Sequence, residues 1–411
     1  MKLDFDILVL GHLIPQNMEK EVFDKTKGYI NFSSSSHLRL MLDCIKEGFL
    51  GEIRLFNLLP VPSFPKRYKD LWIPSFDFEI DGCIKAKNVG YFNLTVLKKL
   101  SKRARVLKNA IKWAKENTGR KKILFAYGVY SEYLDTFKAI KKIDKNIHIN
   151  LIVPDIPLYT DIDKKESLIY KLRAKYRMNK MEKNSSYVDS FVFLTQNMKD
   201  FFKTQKPYEV IEGVFSQNPY VGEYKPGSIK TITYTGTFTV KYGVLDLVKA
   251  FSYIKDENYR LVLAGSGEGE EEIKQAAKED ERIIYLGALT KDEVLRLQAN
   301  STILVNPRKD EHDFTKYSFP SKIMEYLSSG RPVICHKLPG IPDEYDDYLY
   351  YFKSKDPQGM AVDLMELCAF NENALKIFGL AGRDFVFANK NTKVQGEKLK
   401  SMVLDYGRIK V

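Results

Sequence analysis

The segment that carries the most chemistry is residues 317–330, Tyr-Ser-Phe-Pro-Ser-Lys-Ile-Met-Glu-Tyr-Leu-Ser-Ser-Gly. It predicts a helix with Ser318 at the N-cap, Pro320 in the first turn and Gly330 just past the end. The free amides and the positive dipole end of such a helix favour an anion. A carboxylate further along the helix, Glu325, would suit a ribose diol. The alternative for Glu325 is an ordinary solvated helix residue.

The stretch from Ser318 to Ile334 resembles the donor-binding motif of GT-B glycosyltransferases of family GT4. Members of that family carry two glutamates eight residues apart, and the second binds the ribose of the sugar nucleotide. Glu325 matches the second glutamate, whereas Tyr317 occupies the first position, as in branches with a Tyr-Ser-Phe-Pro-Ser-Lys pattern. The resemblance implies donor contacts, to phosphate or sugar, from the five residues Ser318, Phe319, Pro320, Ser321 and Lys322.

Three glycines, each directly after a predicted strand, leave room for a nucleotide at a sheet edge: Gly236, Gly265 and Gly287. A single Gly-x-Gly pattern carries little weight, but three such loops in one unit are more informative. Gly267, in the second of these loops, and Leu286, the last residue of the strand before Gly287, complete this group of donor-binding candidates.

The span from Tyr234 to Pro342 resembles the nucleotide-binding domain of GT4 proteins. In those proteins the first loop usually supplies an arginine and a lysine to the diphosphate. Here Thr237 stands at the arginine position, and Lys241 lies one residue before the expected lysine. Arg308 and Lys322 could compensate for the missing charge. The alternative for Lys241 is an exposed loop lysine.

Polar residues also follow the predicted strands of the first half, at the edge where parallel sheets bind ligands. Asp155 lies between two prolines just past a buried strand. We expect Asp155 to contact an acceptor and to take the proton of its hydroxyl group; an Asx-turn or helix-cap aspartate is the alternative. His12 is a second catalytic candidate, with a purely structural histidine as its alternative. Other acceptor-side candidates follow nearby strands: Gly11, Tyr127, Gly128 and Tyr130.

Alternating short apolar strands and amphipathic helices predict an α/β fold with parallel, doubly wound sheets. The resemblance adds that two Rossmann-like domains face each other across a cleft, as in GT-B proteins. We place an acceptor domain at residues 1–215, a nucleotide-sugar domain at 216–388, and a C-terminal helix at 389–411 that crosses back to the first domain.

Two local patterns give further expectations. Residues 64–91 are aromatic and contain prolines, which predicts an irregular excursion. Thr290 and Glu293 predict a capping box for a helix at Lys291–Ala299.

Length and composition indicate a globular protein of two domains, because 411 residues exceed one ordinary core. Hydrophobic residues make up 44% and charged residues 29%, and no apolar run reaches the roughly 18 residues that span a bilayer. Residues 5–15 predict a buried strand rather than a signal peptide. The scattered cysteines favour reduced thiols in a cytoplasmic protein: Cys44, Cys83, Cys335 and Cys368.

The formal net charge is +12, and lysines concentrate in residues 98–122 and 171–183. Both runs predict basic helices, which can bind anionic lipid, nucleic acid or a polyanionic substrate. An apolar stripe that includes Leu100 and Val106 should pack the first helix on its domain, which leaves a solvated lysine-rich face as the simplest interpretation. Attachment to the inner face of the plasma membrane is the other, since each basic residue near anionic lipid contributes about 1 kcal/mol. No nucleic-acid motif accompanies the charge, so we expect no nucleic-acid partner.

Asp161-Ile-Asp163 matches the Asp-x-Asp metal motif of the other glycosyltransferase fold, but a three-residue match in a charged loop is nearly uninformative. In the GT-B fold, helix amides and basic side chains stabilise the leaving diphosphate, so we predict neither a metal nor another cofactor.

The prediction is therefore a hexosyltransferase that uses a nucleotide diphosphate sugar, above all a UDP-sugar, and a glycan or polyprenyl-linked acceptor. The resemblance implies retention of anomeric configuration, and bacterial capsule or exopolysaccharide biosynthesis would suit the basic first half. One alternative is a catalytically silent GT-B partner subunit, which Tyr317 and Thr237 favour because they replace charged residues. A sugar-nucleotide epimerase, which shares the fold, is the other.

Overall fold

The fold is given by a computed structural model that describes residues 4–27, 33–159, 168–222, 227–311 and 313–406. The Asp161-Ile-Asp163 motif lies outside these residues. The chain forms two compact units: unit 1 is Met1–Ile211 with Thr392–Val411, and unit 2 is Glu212–Asn391. Within the described ranges, no helix is both long enough and apolar enough to cross a membrane.

Strands and helices alternate along the chain. The strands are β1 (Phe5–Gly11), β2 (Gly51–Asn57), β3 (Trp72–Ile73), β4 (Phe76–Ile80), β5 (Ile84–Asn88), β6 (Tyr91–Phe92), β7 (Lys121–Tyr127), β8 (His148–Val153), β9 (Ser190–Phe193), β10 (Tyr208–Val210), β11 (Lys230–Thr235), β12 (Tyr259–Ala264), β13 (Ile283–Gly287), β14 (Ile303–Asn306), β15 (Val333–Cys335) and β16 (Tyr350–Tyr351). The helices are α1 (Glu19–Lys25), α2 (Ser33–Gly48), α3 (Thr95–Lys115), α4 (Ser131–Ile143), α5 (Leu168–Asn184), α6 (Asn197–Phe202), α7 (Val244–Tyr253), α8 (Glu270–Glu279), α9 (Lys291–Ala299), α10 (Ser321–Ser328), α11 (Pro357–Cys368), α12 (Glu372–Asn389) and α13 (Thr392–Tyr406).

Unit 1 contains an eight-stranded sheet of order β10-β9-β8-β7-β1-β2-β5-β4. Its strands are parallel except for the antiparallel pair β4–β5. Strands β1 and β8 are buried along their whole length, as parallel strands covered on both faces should be. The predicted doubly wound parallel sheet is confirmed.

Helix α13 packs on α2 within unit 1. Gly48 and Gly396 let the two backbones meet, because a Cβ on either glycine would overlap the other helix. Leu399 and Val403 bury the inner face of α13.

The prediction of an irregular excursion at residues 64–91 is wrong. The segment holds three short strands and part of a fourth, and β4 and β5 form a hairpin at the sheet edge. The turn contains Asp81 and Gly82, both with positive φ, 48° and 65°; Asp-Gly is a strong hairpin signal. Prolines flank these strands instead of interrupting them, so they do not disrupt the pairing.

The apolar stripe predicted for the first basic run is only partly buried. Val106 and Ala110 in α3 are fully buried, but Leu100 is 58% exposed. Leu100 lies near the amino end of α3, off the face that packs on the unit.

Unit 2 contains a parallel six-stranded sheet of order β13-β12-β11-β14-β15-β16. Its two faces bury separate cores, and neighbouring residues of β14 show the alternation: Val305 belongs to one core and Leu304 to the other. Helix α9 begins with the predicted capping box of Thr290 and Glu293. This unit has the architecture of a Rossmann domain.

The two ends of unit 2 meet at a buried ion pair. Lys390 Nζ lies 2.6 Å from Glu212 Oε1, and both side chains are 1% exposed. Tyr345 donates its hydroxyl to the same carboxylate at 2.6 Å. The amide of Phe215 donates to the Lys390 carbonyl at 2.6 Å, so the entering and leaving chain segments are joined by side chain and backbone.

Candidate active site

Helix α10 begins later than predicted. Its N-cap is Pro320, which provides no side-chain capping hydrogen bond, whereas Ser318 lies before the helix. The hydroxyl of Ser318 instead donates to the Phe314 carbonyl at 3.2 Å. Beyond the helix end, Gly330 has a φ of +72°, as expected for the residue after the C-cap. The helix buries Ile323 and Leu327, each contributing about 1.5–3 kcal/mol of hydrophobic stabilisation.

Glycines lie at the carboxyl ends of the three strands at one side of the unit 2 sheet: Gly236 and Gly265 follow β11 and β12, and Gly287 is the last residue of β13. Gly236, Gly265 and Gly287 have φ values of 137°, 151° and 70°, which favour glycine. A Cβ on Gly265 would overlap the carbonyl of Gly236, and one on Gly267 would lie 2.8 Å from the Phe238 amide nitrogen. The first two turns therefore pack directly against each other at the carboxyl ends of β11 and β12.

Lys322 covers the first of these turns. Its ammonium donates to the Thr235 carbonyl and occupies the space where a Gly236 side chain would lie. Burial lowers the pKa of Lys322, although Glu325 opposes this effect. No ion pair between Lys322 and a carboxylate is found in the described part of the chain. A half-buried cation therefore lies at the carboxyl end of β11.

Glu325 is held beside this cation. Its Oε1 accepts a hydrogen bond of 2.5 Å from Gln298 Nε2, and the same nitrogen donates to Thr235 Oγ1 at 2.9 Å. Gln298 is fully buried, and Glu325 remains exposed. The carboxylate is thus oriented by a buried amide and still reaches solvent.

Gln298 was missed by the sequence analysis. A signal existed, because Gln298 follows Val294 by one helical turn and so shares the inner face of the predicted helix at Lys291–Ala299. A glutamine on that face needs a buried partner.

Arg308 supplies a second cation before α10, and this one is buried. Its Nη2 donates to Ser318 Oγ at 2.7 Å, and its guanidinium lies 4.6 Å from the Phe314 ring centroid and 5.3 Å from that of Tyr242. Burial lowers the pKa of Arg308, and its Nε has no hydrogen-bond partner. Among the described residues no carboxylate forms an ion pair with Arg308, whose contacts are the Ser318 hydroxyl and two aromatic rings.

The other candidates in residues 317–322 have different environments. The ring of Phe319 is buried and lies 5.4 Å from that of Tyr345, so it is part of the core. Pro320 is also buried, while Ser321 is exposed at the first position of α10. Tyr317 ends a 3-10 helix before the site.

The remaining donor candidates lie on the exposed side of the loops. The Thr237 side chain is exposed, and its carbonyl accepts from the Tyr234 hydroxyl at 2.8 Å. Lys241 is exposed in a 3-10 turn, Val240–Tyr242. Leu286 is exposed on β13, an edge strand. The structure thus brings together Gly236, Lys322 and Glu325. It leaves Thr237, Lys241 and Leu286 at the periphery.

In unit 1, His12 is packed among tyrosines after β1. Its Nδ1 lies 2.9 Å from the Tyr133 hydroxyl, and its ring centroid lies 4.2 Å from that of Tyr130. Burial, followed by the charges of Lys102 and Lys98, lowers the pKa of His12 well below 6.5. His12 is therefore neutral near pH 7. The neighbouring Gly11 permits close packing of β1 on α2, since a Cβ there would lie 2.5 Å from Leu38 Cδ2.

The residues at the end of the neighbouring strand β7 pack mainly against other residues of unit 1. Tyr127 is buried, and its hydroxyl lies 2.8 Å from His37 Nδ1. Gly128 has a φ of +92°, and a Cβ there would overlap the ring of Tyr130. The Tyr127 hydroxyl is thus used within the unit, whereas Tyr130 is half-buried.

Asp155 lies at the end of β8, next to these tyrosines. Its side chain is reached by solvent, but the protein atoms crowded around the carboxyl raise its pKa to about 6. Its charge contributes to the raised pKa of Tyr127 and Tyr130, after burial. No hydrogen bond to the Asp155 carboxylate is found in the described ranges, which disfavours an Asx-turn or helix cap. Asp155, Tyr130 and His12 thus lie at the ends of the adjacent strands β8, β7 and β1.

Comparison with known proteins matches residues 229–369 to the family of group 1 glycosyl transferases. The search of curated proteins gives no match. Among solved structures, the sucrose-phosphate synthase of Thermosynechococcus elongatus is 12% identical with a TM-score of 0.64, over 98% of each chain. HepE of Anabaena in complex with UDP is 13% identical with a TM-score of 0.61, over 97% of this chain and 100% of the other.

The lipopolysaccharide outer core galactosyltransferase WaaB is 16% identical with a TM-score of 0.62, over 97% of this chain and 99% of the other. These likenesses show a GT-B fold. The chain is a glycosyltransferase, and its unit 2 carries the domain of group 1.

Proposed function

We propose that this glycosyltransferase moves a sugar from a nucleotide diphosphate sugar, a UDP-sugar, to a glycan or a polyprenyl-linked acceptor. The main support is in unit 2, where the half-buried Lys322 and the buried Arg308 both lie near α10 without a paired carboxylate in the described residues. Such cations are stabilised by a bound diphosphate. The UDP bound to HepE supports the choice of nucleotide.

Each proposed donor contact has a separate task. Glu325 accepts the ribose hydroxyls, Lys322 and Arg308 bind the diphosphate, and the exposed amide end of α10 adds donors at Ser321. The glycine turns at Gly236, Gly265 and Gly287, with Gly267, admit the nucleotide; Thr237, Lys241 and Leu286 remain peripheral candidates. The residues 216–388 form the nucleotide-sugar domain in this assignment.

The acceptor belongs to the first domain, residues 1–215, to which the terminal helix of residues 389–411 returns. In the transfer, the acceptor hydroxyl forms a bond to the anomeric carbon and the bond from that carbon to the diphosphate breaks. The electron pair of the broken bond leaves with the diphosphate, whose charge the cations stabilise. Asp155 receives the hydroxyl proton, and Tyr130 and Gly11 border the acceptor. The proposal includes retention of configuration, no requirement for a metal, and a role in bacterial capsule or exopolysaccharide biosynthesis.

The first test is donor binding by wild-type protein and Glu325→Ala. A nucleotide-sugar panel should include a ligand, expected to be a UDP-sugar, that raises the melting temperature, because ligand binding stabilises the folded state. Loss of a charged hydrogen-bond partner should weaken that ligand about tenfold or more. Calorimetric titration measures the affinity, and Glu272→Ala, an exposed change on α8, is the matched control.

Unchanged donor affinity in Glu325→Ala would remove the ribose role. If no nucleotide binds, the silent-subunit alternative gains support; hydrolysis of the donor without acceptor argues against it. Release of an epimerised sugar nucleotide would identify the epimerase alternative.

We also infer that unit 1 attaches to an anionic membrane surface. Leu172 and Tyr176 lie one turn apart on α5 and are 59% and 58% exposed. Lys171 and Lys175 are exposed beside them, so one helix face presents both apolar groups and positive charge. This combination suits the boundary between headgroups and acyl chains of anionic lipid.

A further inference from the structure

Two lysines of α3 are withdrawn from solvent in unit 1, although the basic run that contains them was expected to form a solvated face: Lys102 is buried and Lys98 is half-buried. Lys102 is 6% exposed, and its Nζ lies 4.5 Å from the centroid of the Tyr91 ring. Lys98 Nζ lies 5.8 Å from the same centroid and donates to the Val61 carbonyl at 2.6 Å. Two ammonium groups therefore lie near the same aromatic ring.

The charge of this pair is poorly compensated. In the described chain, Lys102 makes neither a hydrogen bond nor an ion pair, and Lys98 has the single carbonyl acceptor. Glu132 is the nearby carboxylate that favours both ammonium groups, but its contact is with Ser131 Oγ at 3.1 Å. Burial lowers the pKa of Lys102 to about 8 and that of Lys98 to about 7. Buried cations of this kind are costly unless an anion joins them.

The pair lies close to the acceptor-side residues. His12 is near enough that the charges of Lys102 and Lys98 depress its pKa, and its ring contacts Tyr130. Tyr130 in turn lies within electrostatic reach of Asp155. His12 Nδ1 is occupied by Tyr133, so Nε2 is the ring atom left to face a ligand, and both His12 and Lys102 keep 6% of their surface exposed.

We propose that Lys98, Lys102 and His12 form a phosphate-binding subsite in unit 1 that holds a phosphate group of the acceptor. The ammonium groups donate to the phosphate oxygens, and His12 donates from Nε2. The identity of the ligand as acceptor rests on the proposed transfer function, but the binding of phosphate does not. A soluble sugar phosphate and a polyprenyl diphosphate-linked sugar both offer this chemistry.

The test is calorimetric titration of inorganic phosphate into the full-length chain, as wild type, Lys102→Met, Lys322→Met and Lys108→Met. Lys102→Met should weaken phosphate binding about tenfold or more, since a charged hydrogen bond is lost. Lys322→Met removes a cation from unit 2 only, so phosphate binding that depends on Lys102 should persist in it. Lys108 is exposed on α3, and its replacement should change nothing. Phosphate affinity that falls with Lys322→Met but not with Lys102→Met would overturn the subsite while supporting an anion site in unit 2.

Thermal unfolding in anion-poor buffer gives a second readout. Removal of an unpaired buried charge should leave Lys102→Met at least as heat-stable as wild type, and phosphate should raise the melting temperature of wild type more than that of Lys102→Met. A less stable Lys102→Met protein would show that Lys102 is already compensated by Glu132, and the proposal would fail.

The same titration with a hexose phosphate, and with neutral vesicles that carry polyprenyl diphosphate, identifies which molecule carries the bound phosphate group. The ligand whose binding depends on Lys102 defines the chemical class of the acceptor. If neither binds differently in wild type and Lys102→Met, the assignment of the subsite to the acceptor is overturned. Donor binding measured in parallel shows separately whether the transfer function holds.

Discussion

At the residue scale, the proposed ribose-binding carboxylate and the proposed catalytic carboxylate are held in opposite ways. Glu325 is exposed and oriented by a hydrogen bond from Gln298. Asp155 has no such partner in the described part of the chain, and crowding raises its pKa to about 6. A hydrogen bond from an amide suits a carboxylate that must be held in one orientation to bind a diol. A raised pKa suits one that must accept a proton.

Asp155→Asn should lower the rate of sugar transfer far more than donor affinity, because the amide cannot accept the acceptor proton. Asp155 is active only when ionised, so kcat/KM of wild type should rise as pH rises through about 6 and level off above it. A proton acceptor of this kind typically contributes 10²–10⁴-fold. Steady-state kinetics from pH 5 to pH 8, in roughly half-unit steps, measure the profile.

Asp77→Asn is the control for that experiment, since Asp77 is exposed on β4. Transfer by Asp155→Asn at the wild-type rate would remove Asp155 from the mechanism. A wild-type profile without a limb near pH 6 would assign the proton to another group.

Residue identity could be predicted where the chemistry is local, and not where it depends on tertiary contacts. The segment that contains Lys322 and Glu325 was recognisable from spacing and from its resemblance to a family motif. That Lys322 turns onto Gly236, and that Lys102 is buried beneath Tyr91, depends on packing between distant segments. Sequence periodicity assigns a lysine to solvent by default, because burial of an unpaired ammonium is costly.

At the element scale, alternation of strands and helices was sufficient to predict most of both sheets. Two predictions at this scale were wrong, the irregular excursion and the N-cap, and they have a common cause. Prolines near residues 64–91 were taken as breakers of the whole segment, and Ser318 as a cap, because each residue type has a strong local preference. In the structure, pairing with β2 places β5 in the sheet, and Arg308 binds the Ser318 hydroxyl before the helix begins.

The exposed face of α5 provides a prediction at this scale. The double change Lys171→Glu/Lys175→Glu should reduce binding to vesicles of anionic phospholipid by roughly thirtyfold or more, since each lysine contributes about 1 kcal/mol. Sedimentation at low ionic strength measures the bound fraction. Leu172→Ser should also weaken binding, with less dependence on salt.

The matched control is Lys278→Glu/Lys291→Glu, which makes the same change in charge at exposed positions of α8 and α9. Equal losses in both double variants would indicate a response to net charge alone. No loss in either would leave the lysine-rich face of α5 simply solvated.

At the scale of the whole molecule, the chain is organised as one unit inserted into another. Unit 1 is interrupted after Ile211 and resumes at Thr392, with unit 2 between these points. Length and composition indicated two domains, but no local pattern revealed the residues that join the ends of the insert. Lys390 and Glu212 are far apart in sequence, and their pairing follows only from the completed fold.

Lys390→Met should lower the free energy of unfolding of unit 2 by about 3–5 kcal/mol, because it leaves the buried Glu212 carboxylate without its cation. Hydrogen exchange followed by mass spectrometry measures this locally: protection should fall in β11, β14 and α10 and remain in unit 1.

The exposed replacement Lys400→Met should have little effect, and Lys390→Met combined with Glu212→Gln should recover part of the loss. A Lys390→Met protein with wild-type protection throughout unit 2 would contradict the assigned role of the ion pair.

The ion pair between Glu212 and Lys390 also has a consequence for how the substrate preference of such a protein can evolve. Because a salt bridge and the Phe215 amide tie the first residues of the insert to the last, the sheet and cores of residues 212–391 are completed within a single continuous stretch of gene. Recombination at these two points would exchange the whole stretch as a cassette and leave unit 1 covalently intact. Selection could thereby change one substrate preference at a time.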